Sequence, residues 1–256
     1  VSGLPMAVQA MKDMPNTDIQ RYILRDDMDG LTELISEINH TSSNPSFEII
    51  NTITDGQAAT CVLGSDNLAL DEPVTIAACD NGMLYNSDKF NDLMLDDNID
   101  VIVWGARGYP GAIRSPEMYG WIDTEDNAVK VNCISVKEPL NNPNNDPIVV
   151  GAFTFKKLSY FLDAVKRMKS RQAKINGEYY VDMAINDVIS MEKNSVMFEI
   201  DRYICWGTPN DLKTFEYWQS CFHKWYSHPY ELGLDPNVSR KSAVELEKRY
   251  TKFVYG

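Results

Sequence analysis

Short apolar runs take turns with stretches of helical spacing along nearly the whole chain, and this alternation limits the folds open to it. Apolar runs stand at 22–24, 47–53, 74–78, 101–104, 129–136, 148–155 and 196–204. Helical periodicity occupies 6–11, 31–38, 89–95, 158–169, 181–191 and 211–225. Strands separated by helices predict an α/β fold of Rossmann-like type, a mostly parallel mixed sheet flanked by helices, with ligands beyond the carboxyl ends of strands. Breakers fall where loops are needed: 105–120 carries four Gly and two Pro, and 141–147 (NNPNNDP) is polar throughout.

The pattern predicts one domain over 1–225 and a C-terminal extension over 226–256. The extension mixes His-Pro, Asp-Pro and a charged helical pattern at 242–253, and is expected to pack on the domain or on a neighbour, so a homo-oligomer is left open. At the other end, 6–11 reads as the first helix of an α/β unit with no strand before it. The expectation is that a first strand and its ligand loop belong upstream.

The net charge of −13 argues against broad nucleic-acid binding, which needs Lys and Arg to displace phosphate counterions. It leaves room for a phosphorylated small molecule, because a few Lys and a divalent cation suffice to hold one. No run approaches 18 apolar residues, so no membrane span is expected, and the start lacks the basic segment of a secretory signal. Five cysteines, an odd number with no C-x-x-C pair, suggest buried reduced thiols in a cytoplasmic protein.

Several strand ends carry chemistry. In 74–86 (VTIAACDNGMLYN) an apolar strand runs into Asp80 and Asn81, placing a carboxylate where a cation bridging phosphates could sit; the plainer alternative is that both cap a following turn or helix. In 52–63 a strand meets Asp55-Gly56, where a missing side chain allows close backbone approach, and Gln57 could bond a base edge; an ordinary strand-to-helix turn is the alternative. The stretch 118–139 predicts a hairpin with an Asp-Asn turn, ending in Lys137-Glu138-Pro139, where Lys137 is either a phosphate contact or a solvated surface charge. Glu178 and Asp182 stand at helical spacing near a helix start, suited to sugar hydroxyls or simply to the helix dipole.

The order of these elements, strand–DGQAAT, strand–CDNG, YGWI-hairpin-VKEP, VVGAFTF, GEYYVD and WGTP, resembles the sugar-phosphate nucleotidyltransferase family from about Leu4 to Trp218. The resemblance implies that Gly56 and Gln57 meet a nucleotide base and that Asp80 binds Mg²⁺ beneath the phosphates, with Asn81 next to it a substrate contact. It implies that Gly120 of the Tyr-Gly pair approaches the sugar, that Lys137 contacts the acceptor phosphate, and that Gly151 and Glu178 line the sugar pocket. The Lys element departs from the family order, being Lys-Glu-Pro here rather than Glu-Lys-Pro.

Two other departures stand out. Where many relatives place a second metal-binding Asp two residues before the Gly of Gly-Thr-Pro, this chain has Cys205, a poor magnesium ligand. Asp201, four residues earlier on the same strand face, is the candidate substitute. The family's Gly-rich loop with an Arg, followed by a Pro-Lys pair, would precede VSGLPM.

The activity so implied joins a nucleoside triphosphate to a sugar 1-phosphate or similar phosphate, giving a nucleotide sugar and pyrophosphate for a surface-polysaccharide route. A non-catalytic binding or regulatory domain of the same fold is one alternative. A nucleotide-sugar-dependent glycosyltransferase is another, although its Asp-x-Asp mark is absent after 74–78.

Overall fold

The computed structural model describes residues 1–124, 129–225 and 228–250. The strand that organises it is β8 (Ile148–Phe155), which is buried along nearly its whole length. Its β-branched and aromatic residues suit a strand covered on both faces. Strand β5 (Val101–Ala106), also fully buried, runs antiparallel along one edge of β8, from Ala106↔Ile148 to Val101↔Phe155.

The other edge of β8 is shared end to end. Strand β3 (Val74–Ala77) pairs with it from Val74↔Phe155 to Ala77↔Ala152, and β6 (Gly120–Thr124) joins it at Trp121↔Ile148. The handover falls at Gly151, whose φ of 78° is left-handed and suits glycine. The sheet therefore has a notch at Gly151, between the end of β3 and the start of β6.

Beyond this core, β7 (Val131–Val136) completes the predicted hairpin with β6, and β9 (Ser195–Glu199) lies parallel to β5. The predicted Asp-Asn turn of the hairpin, at 126–127, lies outside the described residues. The sheet is mixed rather than mostly parallel as expected: β5–β9 is parallel, but every pair made by β8 and the β6–β7 hairpin are antiparallel, because hairpin-like returns rather than helical crossovers bring these strands together. Apart from it, β1 (Gln20–Arg25) and β2 (Pro45–Ile50) form a separate parallel pair.

Two elements differ from expectation. The apolar run 196–204 is not one strand, because Ile200 N donates to Gly105 O while Asp201 N donates to Leu84 O. The chain changes partner there, and β10 (Arg202–Cys205) pairs antiparallel with β4 (Asn81–Leu84) instead of continuing along β5. Asp80 and Asn81 cap no helix either; the cap of the next helix, Ser87–Leu95, is Asn86, whose side chain accepts from Lys89 N at 3.0 Å.

Helices cover one sheet face through regular apolar stripes. Residues Leu158, Phe161, Val165 and Met168 of the helix Leu158–Ser170, and Val181, Ala184, Ile185 and Val188 of the helix Val181–Ser190, pack on Val103, Ile122 and Phe153. The opposite face carries an aromatic cluster in which the Trp104 ring stands 5.0 Å from Phe198 and 4.9 Å from Phe90. Its indole Nε1 donates to Thr154 Oγ1 at 3.0 Å.

At the end of the covered face, the buried Asp187 carboxylate accepts two bonds from the Arg171 guanidinium, at 3.0 and 2.7 Å. Asp187→Ala is expected to cost roughly 2 kcal/mol, read from urea unfolding; Arg171 is half-exposed, which keeps the loss below that of a fully buried pair. A change below a few tenths would show that the pair contributes nothing.

Two late elements, the helix Pro209–Lys224 and the helix Arg240–Tyr250, reach the chain start. Gln219 Nε2 donates to Ser2 Oγ at 3.1 Å, and Ser242 Oγ donates to Gly3 O at 3.2 Å. The expected beginning of the extension at 226–227 and the end of its helix at 251–253 lie outside the described residues. All five cysteines are free thiols, but they are not the buried residues expected. Cys79 sits on an exposed strand end and Cys133 on the outward face of β7, while the other three are partly exposed.

Candidate functional site

The site grows from the notch at Gly151. Ala78 N donates to Gly151 O at 2.8 Å, extending β3 by one bond, and the chain then turns through Cys79 and Asp80 into β4. Trp206 N donates to Asp80 O at 2.7 Å, so the end of β10 closes the corner. Asp80 is half-buried, and its carboxylate accepts no hydrogen bond from any described residue. It lies over Gly207: a β-carbon there would stand 2.9 Å from Asp80 Oδ2 and 3.5 Å from Cys205 Sγ.

Across the notch, Gly120 opens β6 opposite Val136, and Lys137 N donates to Tyr119 O at 3.0 Å. Lys137 has a φ of 60°, unusual for a residue with a side chain, and its ammonium stands 5.3 Å from the centre of the Tyr180 ring. A β-carbon at 120 would overlap the Asp182 carboxylate, so Gly120 is the residue that makes room for it. Burial raises the Asp182 carboxyl above its ordinary range, and the nearby Lys137 charge opposes the shift.

Tyr180 continues into Glu178 and Gly56. Tyr179 N donates to Asp55 O at 2.8 Å and Ala58 N donates to Tyr179 O at 2.9 Å. A β-carbon at 56, where φ is 113°, would lie 2.7 Å from Tyr179 N and 2.9 Å from Glu178 Cβ. The missing side chain of Gly56 is therefore required by the 178–179 backbone, quite apart from any ligand. Gln57 opens the helix Gln57–Gly64 and is half-buried.

Asp80 and Gly151 thus stand on the β3 side of the notch and Gly120 and Lys137 on its β6 side, while Glu178 and Gly56 follow from Tyr180 through Tyr179, with Gln57 next in the chain. Two expected residues are placed differently. Asn81 is 3% exposed and its Nδ2 donates to Val150 O at 3.1 Å, so its amide ties β4 to β8 rather than facing a ligand. Asp201 precedes β10 on the Leu84 side, whereas Cys205 pairs with Asn81 beside Asp80. Four residues at ~3.3 Å each place Asp201 roughly 13 Å along the strand from Cys205, too far to share an ion with Asp80.

Sequence reasoning missed a tyrosine cluster beside Asp80. The Tyr109 ring stands 4.9 Å from Tyr203 and 5.9 Å from Tyr119, both edge to face. Burial, with Cys205 and Asp211 nearby, pushes the Tyr109 hydroxyl up to about 12, and Tyr203 also rises through burial with Cys205 and Asp80 adding to it. The only signal in the sequence was two tyrosines inside a stretch read as loop.

Among the described residues, no three His, Cys, Asp or Glu side chains converge to hold a metal ion by themselves. Asp80 fits an ion that takes most of its ligands from phosphate oxygens. A cleft of about 650 Å³ lies elsewhere, between Arg107, Asp123, Asn145 and Glu199, and contains none of the notch residues. Its size alone does not make it the reacting site, because the one cation among its described lining residues, Arg107, is already paired with Glu199 at 3.3 Å. No described helix is long and apolar enough to cross a membrane.

No protein-family model and no curated protein sequence matches the chain. Solved structures do. The nucleoside-diphosphate-sugar pyrophosphorylase from Vibrio cholerae RC9 superimposes with a TM-score of 0.64 at 18% identity, covering 78% of this chain and 80% of its own. The inositol-1-phosphate CTP transferase from T. maritima gives 0.56 at 11% identity, covering 100% and 84%. CMP:2-keto-3-deoxy-manno-octonic acid synthetase complexed with CTP gives 0.54 at 11% identity, covering 82% and 86%. The chain has the fold of these nucleotidyltransferases.

Proposed function

We propose that this protein is a nucleotidyltransferase acting on a nucleoside triphosphate and a phosphorylated small molecule, a sugar 1-phosphate in the first instance. The reading rests on the break in the sheet edge at Gly151, with Asp80 leaving the strand on one side of it and Gly120 and Lys137 at the strand ends on the other. An acceptor phosphate oxygen attacks the α-phosphorus, the bond to the β-phosphate oxygen breaks, and pyrophosphate leaves.

Each residue then has a positioning or charge-neutralising task, as phosphoryl chemistry demands. Asp80 holds a divalent ion, Mg²⁺ by the family pattern, which when bound offsets charge developing on the phosphates. Lys137, braced by Tyr180 and Asp182, meets the acceptor phosphate. Gly120 and Gly151 stand beside the acceptor body, with Glu178 at its edge. Gly56 and Gln57 face the base. A surface-polysaccharide precursor and a cytoplasmic setting fit this chemistry.

The test is pyrophosphate release from each of the common nucleoside triphosphates with a panel of sugar, polyol and amino-alcohol phosphates. Lys137→Ala is expected to raise KM for the acceptor by about 10- to 100-fold, with a smaller change in kcat. Wild-type KM in that variant would remove Lys137 from the site.

Cys205, standing beside Asp80, favours a second reading, a binding domain without turnover. In that case calorimetry would register nucleotide binding while no pair in the panel released pyrophosphate.

A further inference from the structure

The corner formed by Asp80, Cys205 and Gly207 is the part of the site whose chemistry differs most from an all-oxygen cation seat. The β10–β4 register sets Cys205 opposite Asn81 and so beside Asp80, and the Trp206 N–H to Asp80 carbonyl bond fixes that neighbourhood. Gly207 contributes no side chain. The place its β-carbon would take is 2.9 Å from a carboxylate oxygen and 3.5 Å from the Cys205 sulfur, so both atoms adjoin the same side of Gly207. Gly207 N donates to Cys205 Sγ at 3.4 Å, which orients the sulfur. The thiol in turn points at Asp211 Oδ2, 3.7 Å away, and that oxygen is already held by Thr208 Oγ1 at 2.7 Å. Asp211 therefore serves as a support behind the sulfur rather than as a second ligand.

We infer that Asp80 and Cys205 form a mixed oxygen–sulfur seat that takes a borderline transition-metal ion, of the Co²⁺ or Zn²⁺ kind, in preference to Mg²⁺. The inference rests on the proposed function for the phosphate oxygens that complete the coordination. Magnesium keeps to hard oxygen donors, whereas cobalt and zinc accept thiolate readily, at about 2.3 Å for zinc. On binding, the S–H bond breaks, a metal–sulfur bond forms and the proton passes to solvent; no electron changes hands. Two protein ligands leave the remaining positions for a triphosphate.

The experiment uses the full chain and Co²⁺, alone and then with inorganic triphosphate. Thiolate-to-cobalt charge transfer absorbs in the near ultraviolet. The wild type should show that band, and Cys205→Ser and Asp80→Asn should each lose it, with Co²⁺ affinity falling about tenfold or more. Cys79→Ser should retain it, because the exposed neighbouring thiol is not the ligand. No band in the wild type, or a band that survives Cys205→Ser, overturns the inference. If the band is absent while pyrophosphate release still depends on Asp80, only this inference falls. If the band is present and no triphosphate–acceptor pair turns over, the metal seat stands and the transferase reading falls.

Discussion

Asp80→Asn is expected to lower pyrophosphate release by about 10²- to 10³-fold while leaving the thermal midpoint within about 2 °C of the wild type. The first figure is what losing one preorganised charge-stabilising group typically costs in acyl and phosphoryl transfer. The second follows from the position of the side chain. Its carboxylate is half-buried and accepts no hydrogen bond from any described residue, and the corner is held by its carbonyl, which the substitution keeps. The same property makes the variant informative, because a group that supports nothing structurally is free to hold a ligand. Steady-state pyrophosphate release and a melting curve on the same preparation check both halves. Full turnover in this variant would remove the ion from Asp80 and with it the proposed chemistry. Lost activity with a melting point lowered by many degrees would mean that Asp80 belongs to the fold.

Much of the fold was legible because local pattern and global layer agree in this chain. The runs at 74–78, 101–104 and 148–155 announce β3, β5 and β8 through their apolar continuity, and the stripe Leu158–Phe161–Val165–Met168 announces its helix. What was not legible depends on partner choice. Nothing in 196–204 signals that Ile200 bonds Gly105 while Asp201 bonds Leu84, because the exchange is decided by where β4 lies. The misplacement of Asp201 follows directly. Even spacing put it on the same strand face as Cys205, but spacing carries no information about which end of the strand meets Asp80.

Site residues divide in a similar way. Asp80, Gly120 and Lys137 sit at element ends, where sequence places residues well, on either side of the break along β8. Asn81 shows how burial changes the meaning of an amide. In a loop it is a ligand contact, but at 3% exposure its bond to Val150 O is a structural tie. Tyr109, Tyr119 and Tyr203 went unnoticed because their meeting depends on how 105–120 folds back over β10, a long-range event.

Gly56→Ala is expected to destabilise the protein by roughly 2–4 kcal/mol, the range for a side chain forced into a left-handed backbone and against a packed neighbour. The contacts leave little room for relief. The new β-carbon would lie 2.7 Å from Tyr179 N and 2.8 Å from Tyr179 O, backbone atoms that bond Asp55 O and Ala58 N. Moving them breaks the link between the 55–58 turn and the 178–180 segment, which also carries Glu178 and the Tyr180 ring beneath Lys137. For a domain of this size the melting point should fall by roughly 5–15 °C. Gln57→Ala, in contrast, removes a half-buried side chain at a helix start and should leave the melting point nearly unchanged while weakening nucleotide binding. Calorimetric melting of both variants, with nucleotide titration of the second, separates the two roles of this turn. An unshifted melting point for Gly56→Ala would mean that Tyr179 can retreat, and that the glycine is kept for something its own neighbours do not demand.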